Sequence, residues 1–416
     1  MSHPASATGP ITGTSVLTRA QIVAWRNAIF VIFALCGIGL ASWVSRTPSI
    51  RDALGASTFE MGLIVFALAG GSIIGLTSSS HLLARIGSAA TIRACLGLMG
   101  FGMILTGIGA TMTSGAIVVA GLAIFGVGMG ACDVSMNVEG AANERALDRT
   151  VMPLFHAMFS GGTILGAALG AAAEFAGVPI VVHLTIIGVV ILMGAVWTVR
   201  YLQIDPAATT IAEEDAASSA ETGWRSRLGI WRDRRTLLIG LIVLGMAFAE
   251  GSANDWLALA MVDGHGVGNA TGALVFGIFV TAMTVGRVFG VYVLDRFGRV
   301  PVLRVSAVFA AVGLVVVIFA PVAWLAGIGV VLWGLGSALG FPVGMSAAAD
   351  DPRNAAARVS AVATIGYLAF LVGPPLVGFV GEQVGLLNAL LMVLALVAVA
   401  GIVSPAARKP ELTPTG

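Results

Sequence analysis

Few side chains in this sequence could do proton or ligand chemistry in an apolar setting, and several come in pairs. Asp133 and Asn137 are four residues apart, as are Glu250 and Asn254, and His156 and Ser160. On a helix, positions i and i+4 share a face. Each pair therefore sets a titratable group beside one that can hydrogen-bond a ligand. Asp255 follows Asn254, and Trp43 and Trp256 stand near comparable points of two apolar runs. All of these lie in or at the ends of segments that otherwise avoid charge. A charge at the bilayer centre costs about 2.5–3.5 kcal/mol on insertion scales, so such a residue is a functional candidate by default. The chemistry to expect is reversible protonation, because burial raises a carboxyl pKa toward neutrality. Glu250 is the leading proton carrier, with Asp133 and His156 as a second polar station. Asn137, Asn254, Asp255 and Ser160 would meet a solute, and Trp43 and Trp256 could stack on its ring. Simpler roles stand beside these. Asp133 could pair with Arg145 or Arg149, His156 could be a packing histidine, the tryptophans could be interfacial, and Asp255 could pair with Arg46 at an outer gate.

The elements that must carry these residues are membrane helices. The 416 residues are 57% hydrophobic and 10% charged, against about 25% charged in an average soluble domain. Twelve apolar runs are long enough to span a bilayer, near 24–45, 60–82, 92–113, 115–137, 152–175, 179–200, 236–258, 270–293, 301–320, 322–346, 357–380 and 384–404. Lys and Arg crowd the loops on one side, which marks it as cytoplasmic and puts both termini there. Arg287 sorts to the same side. The divisions are a tail over 1–23, six helices over 24–200, a linker over 201–235 with an amphipathic stretch around Trp224–Trp231, six helices over 236–404, and a tail over 405–416.

The halves repeat. A shift of 208 lays Gly126, Gly128, Arg145, Gly170, Glu174 and Gly177 on Gly334, Gly336, Arg353, Gly378, Glu382 and Gly385. A shift of 211 lays ARIGSAATIR, from Ala84, on DRFGRVPVLR, from Asp295. Duplicated six-helix halves with a site between them are a transporter architecture. Glycines at four-residue spacing (Gly162, Gly166, Gly170; Gly336, Gly340, Gly344) and the prolines Pro342, Pro374 and Pro375 suit close, bent helix contacts.

GRVFGVYVLDRFGR, Gly286 to Arg299, resembles the loop motif of the major facilitator superfamily, Gly-x-x-x-Asp-Arg-x-Gly-Arg. Gly290, Asp295, Arg296, Gly298 and Arg299 approximate it, with one extra residue after the first glycine. The first half keeps Gly75, Arg85 and Gly87, with Ala84 in place of the aspartate. ASWVSRTPSIRDALGAST, DVSMNVEG and AEGSANDW resemble the YbjJ-like branch, distantly fucose-permease-like. The resemblance covers about residues 20–405. It implies an all-α fold of twelve helices in two bundles, lipid-facing third and sixth helices in each half, and an inner gate at the motif, with Arg287 and Asp295 as its latch.

The function to expect is movement of a small solute across the inner membrane by alternating access, coupled to protons, by a monomer. A ligand sensor without flux, or an exporter of the same superfamily, is the alternative. With no lysine in any span and the arginines assigned to helix ends, a neutral polyol or an organic cation fits better than an anion. No HExxH, Walker loop or GxSxG elbow is present, so an enzyme is not expected. Neither is a metal or cofactor. A net charge of +1 gives no field for nucleic acid. Cys36, Cys95 and Cys132 lie in apolar runs without disulfide spacing.

Overall fold

The computed structural model describes residues 17–149, 151–203, 230–350 and 355–409. Among them every regular element is a helix. The first half contains α1 (Arg19–Ser45), the short α2 (Thr47–Leu54), α3 (Thr58–Thr111), α4 (Gly115–Leu147), α5 (Met152–Phe175) and α6 (Ile180–Thr198). The second contains α7 (Arg234–His265), α8 (Asn269–Phe297), α9 (Arg299–Phe319), α10 (Ala323–Ser337), α11 (Gly340–Ala348), α12 (Ala355–Val384) and α13 (Leu386–Val403), ending in a 3₁₀ turn. Arg353 and most of the 201–235 linker, Trp224 included, lie outside the described residues.

The element α3 is two spans. Its 54 residues would reach about 80 Å as one rod, far beyond a hydrocarbon core of about 30 Å. Gly87, at φ 74 and ψ 167, folds it back. Both legs then flank α4: Gly126 lies against Leu68 and Gly128 against Cys95. Gly298 makes the same turn between α8 and α9, at φ 76 and ψ 173. A side chain would be strained at that positive φ, so glycine occupies both corners. With α3 counted twice and α10–α11 as one bent span, twelve spans result, and an even number returns the chain to the side on which it began. This is called the terminal end below, and the opposite side the far end.

Local chemistry sets the helix starts. Thr18 with Gln21 and Ser57 with Glu60 form capping boxes on α1 and α3. Asp233 caps α7, accepting from the amide of Thr236 at 3.1 Å and from its hydroxyl at 2.5 Å. Those bonds, the hydroxyl's first, hold the Asp233 carboxyl below the ordinary carboxylate range. Two helices outrun their predicted spans. α4 continues ten residues past 137, through polar residues that still propagate a helix, and α7 seven past 258, through the buried Leu259, Ala260 and Met261.

The surface agrees with a lipid solvent. Phe101, Met193, Phe309 and Ile402, on the third, sixth, ninth and twelfth spans, are exposed apolar side chains. The glycine ladders pack within halves. Gly162 and Gly166 meet the α1 carbonyls of Ala34 and Ile38, while Gly340 and Gly344 meet Met246 and Val243 of α7. They weld each bundle rather than form the surface on which the bundles would slide.

Candidate functional site

Four charged or titratable groups converge midway through the bundle. Asp133 is well inside α4, because the extra turns of that helix carry its end away. Asn137 stays on the same face and donates to the Asp133 backbone carbonyl at 2.7 Å and to its carboxylate at 3.4 Å. His156, near the start of α5, rests edge-on against Phe33 of α1, ring centroids 5.2 Å apart. It lies within electrostatic range of both Asp133 and Arg287. Tyr367 of α12 is 40% exposed and in range of Asp133. Groups on α4, α5, α8 and α12 thus come within electrostatic range of one another across the two halves.

The second half contributes a closed ion pair. Glu250 is at the midpoint of α7, and Arg287 of α8 donates to it at 2.8 Å. This corrects two expectations. Arg287 is not a latch for Asp295, and the site does hold a cation. A proline helps set its position. Pro342 has no N–H to return to the carbonyl four residues earlier. The helix breaks at Ala338–Leu339, and the freed Ala338 carbonyl accepts from Arg287 Nε at 3.4 Å.

The two tryptophans and Arg46 separate from this site. Trp43 and Trp256 are 2% and 0% exposed, locked in the core instead of offering a stacking face. Arg46 does not reach Asp255. It pairs with Glu174 at 2.8 Å and donates to the Val178 carbonyl at 2.7 Å. Asp255 and Asn254 are half-buried on α7. Ser160 offers its backbone carbonyl to the Thr163 hydroxyl. No cluster suited to a metal occurs among the described residues. Cys36 of α1 and Cys132 of α4 are buried free thiols with sulfurs 3.7 Å apart.

The loop motif acts through its last residue. Arg299 forms a two-oxygen contact with Asp350, 2.8 Å to each oxygen, and Arg235 joins the same carboxylate at 2.8 Å. Gly290 lies against Leu339. Asp295 and Arg296 are exposed, with the Arg296 guanidinium 5.6 Å from the Phe297 ring. In the first half the residue after Gly87, Ser88, donates to Glu139, as does the Trp25 indole at 2.5 Å.

The far end is bolted across the halves. Arg51 pairs with Asp263, and Asn269 donates to Asp52 at 2.9 Å. Glu382 of α12 accepts from the Thr58 and Phe59 amides at 2.9 and 3.3 Å. These are two of the free N–H groups at the start of α3. Beneath them a Cβ on Gly62 would be 2.9 Å from the Pro374 carbonyl and 3.2 Å from Pro375. The bonds just described around Asp350 and Glu139, at the terminal end, each stay within one half.

Sequence reasoning put Arg287 at the gate instead of in this site, and missed Tyr367 and the cross-half reach of Glu382. For Arg287 a signal existed, since it is eight residues before Asp295 inside an unbroken apolar run. Tyr367 had none.

The Major Facilitator Superfamily profile matches residues 150–364 and 251–415, together more than half of the chain. An uncharacterized transporter of Sinorhizobium fredii is 29% identical over 91% of this chain and 98% of its own length. A mutant form of the nucleoside transporter NupG superposes with a TM-score of 0.74 at 14% identity, over 94% of this chain and 100% of that one. A mutant form of the E. coli fucose:proton symporter FucP does so at 0.60 and 17%, with the same coverage. With a profile match of that extent, and a fold shared over nearly the whole length, the chain belongs to the Major Facilitator Superfamily.

Proposed function

We propose that this multi-pass membrane protein is a proton-coupled secondary transporter of a small, uncharged, hydroxyl-rich solute, with Asp133 as the coupling group. One observation carries the reading. Of the carboxylates nearest the middle of their helices, Glu250 has a guanidinium on it and Asp133 does not, while Asp255, also without an ion pair among the described residues, is five residues further toward the far end of α7. The charge of Glu250 is thus offset by Arg287 and that of Asp133 is left open, where a proton can settle it. The Arg287–Glu250 pair offers donors and acceptors to solute hydroxyls while adding no net charge. An anion therefore gains little from Arg287, and an organic cation would compete with the proton at Asp133. Sugar-like chemistry is in keeping with the activities of two fold neighbours, a nucleoside transporter and a fucose:proton symporter. Placement in the YbjJ-like branch rests on the three quoted stretches of sequence.

The sealed far end, with the positive charge concentrated at the terminal end, supports an inward-open state with both termini in the cytoplasm. Proton and solute would leave together there, and the empty site would reset by breaking the far-end bonds.

The test uses proteoliposomes with an internal pH dye, challenged with sugars, polyols, nucleosides and organic cations. Wild type should show a ligand-evoked pH change, and Asp133→Asn should lose it while still exchanging labelled ligand. Coupled flux that survives intact in Asp133→Asn would reject the assignment. Ligand binding without any flux in wild type would identify a sensor.

A further inference from the structure

Away from the central site, a cavity of about 510 Å³ lies between the first turns of α1 and the α4–α5 connection. Arg19, Arg26 and Arg149 line it together with Phe30, Leu147 and Leu154, and no acidic side chain lines it. Arg19 and Arg26 are seven residues apart, two turns along one face of α1. Among the described residues, the two acidic side chains of the adjoining turn do not enter the cavity. Glu144 is committed to the Val151 and Met152 amides, at 2.7 Å each. Asp148 is exposed and outside the lining. The acceptor on Arg26 is the neutral Asn27 side chain, at 3.0 and 3.3 Å. The Arg26 guanidinium also stands 5.8 Å from the Phe30 ring. A bond from Asn143 to the Ile22 carbonyl at 3.1 Å fixes α1 against α4 beside the cavity.

Depth identifies the ligand. The 27 residues of α1 span about 40 Å, more than the hydrocarbon core, so its first turns reach the headgroup layer. Leu154 is 54% exposed and opens the apolar side outward. Cations at headgroup level above apolar walls match an amphiphile with an anionic head. We propose that this cavity binds an anionic phospholipid, its phosphate held by Arg19, Arg26 and Arg149 and the start of an acyl chain resting on Phe30, Leu147 and Leu154. Free phosphate would use the arginines and leave the apolar walls without a partner.

The experiment is native mass spectrometry of the full chain in detergent, titrated with phosphatidylglycerol, phosphatidylcholine or inorganic phosphate. Wild type should retain phosphatidylglycerol over phosphatidylcholine. A basic residue near an anionic surface is worth about fivefold in affinity, so Arg19→Gln/Arg26→Gln/Arg149→Gln should lose about a hundredfold. A triple Lys variant should keep most of the preference. Arg85→Gln/Arg93→Gln/Arg304→Gln, which removes equal charge from exposed positions, should change nothing. If the triple Gln variant fails to fold, Arg149→Gln alone, in the exposed connection, should lose about fivefold. An equal loss in the control triple, or equal retention of phosphatidylcholine, overturns the proposal. Displacement of the lipid by phosphate alone would make this an ion site and overturn it too.

Discussion

Gly87 turns the first half at φ 74, and Gly298 turns the second at φ 76. Gly55 and Gly266, at φ 61 and 65, end α2 and α7, while Gly177 and Gly385 precede α6 and α13. Gly126 touches Leu68 as Gly334 touches Phe279, and Gly128 touches Cys95 as Gly336 touches Ser306. Polar groups at matching places have diverged. The anchoring carboxylate is Glu139, held by a hydroxyl and an indole, in one half, and Asp350, held by two guanidiniums, in the other. Glu174 binds Arg46 of its own half, whereas Glu382 reaches across to α3. Duplication has kept the backbone corners, where few residues fit, and let charge drift, so that two similar bundles present unlike faces to one solute.

The comparison breaks first at the central site. Asp133→Asn should abolish ligand-evoked proton movement, a loss of a hundredfold or more on the pH-dye assay. Arg287→Gln should abolish labelled-solute binding by stranding Glu250 in a low-dielectric setting. Adding Glu250→Gln to it should restore part of the binding, read as non-additivity in a double-mutant cycle. If the two halves respond alike, the division into proton and solute roles fails.

Next comes the unlike fate of the paired glutamates. Glu174→Gln leaves Arg46, only 3% exposed, without a counterion. Losing one partner of a buried pair costs about 3–5 kcal/mol, so the detergent-solubilised protein should melt at a clearly lower temperature. Glu382→Gln should cost far less stability and instead open the far end, seen as faster labelling of a cysteine placed beneath the seal. Gly62→Ala should do the same, since its methyl would press on Pro374. A stability loss in Glu382→Gln as large as in Glu174→Gln would erase the distinction between internal strut and cross-half bolt.

The smallest effect is at the α7 cap. Asp233→Ala should cost about 1 kcal/mol. The folded-state pKa is depressed, so this contribution is present above the ordinary carboxylate value near 4 and fades as pH falls through the lower folded value. Melting of wild type and variant should therefore converge in acid, and a constant gap would remove the cap from the account.

The sequence made the helices legible because apolar runs of bilayer length have few other uses. Two corner pairs were legible as repeats between the halves, Gly87 with Gly298 at a shift of 211 and Gly177 with Gly385 at 208. Pairing was harder. Arg287 and Glu250 are 37 residues apart on different helices, and nothing in periodicity says which faces meet. Counting arginines by side moved Arg287 to a helix end, where snorkelling normally puts one. Trp256 was matched to Trp43 by type, yet in the fold Gly378 meets Trp256 where Gly170 meets Ser45, so a bulky ring fills a place that a hydroxyl takes in the other half. Asp133 was read near a helix end because hydropathy marks where the lipid stops, and the helix itself goes on.

The two sulfurs of Cys36 and Cys132 join α1 to α4 inside one half, 3.7 Å apart. If each bundle moves as a unit, that spacing is the same with the far end shut or open, and tying the thiols together with a mild oxidant leaves turnover running. A tie between Arg51→Cys and Asp263→Cys, across the halves, stops it. The native thiol pair is in effect a gauge built into the protein, able to tell a bundle that tilts from one that deforms.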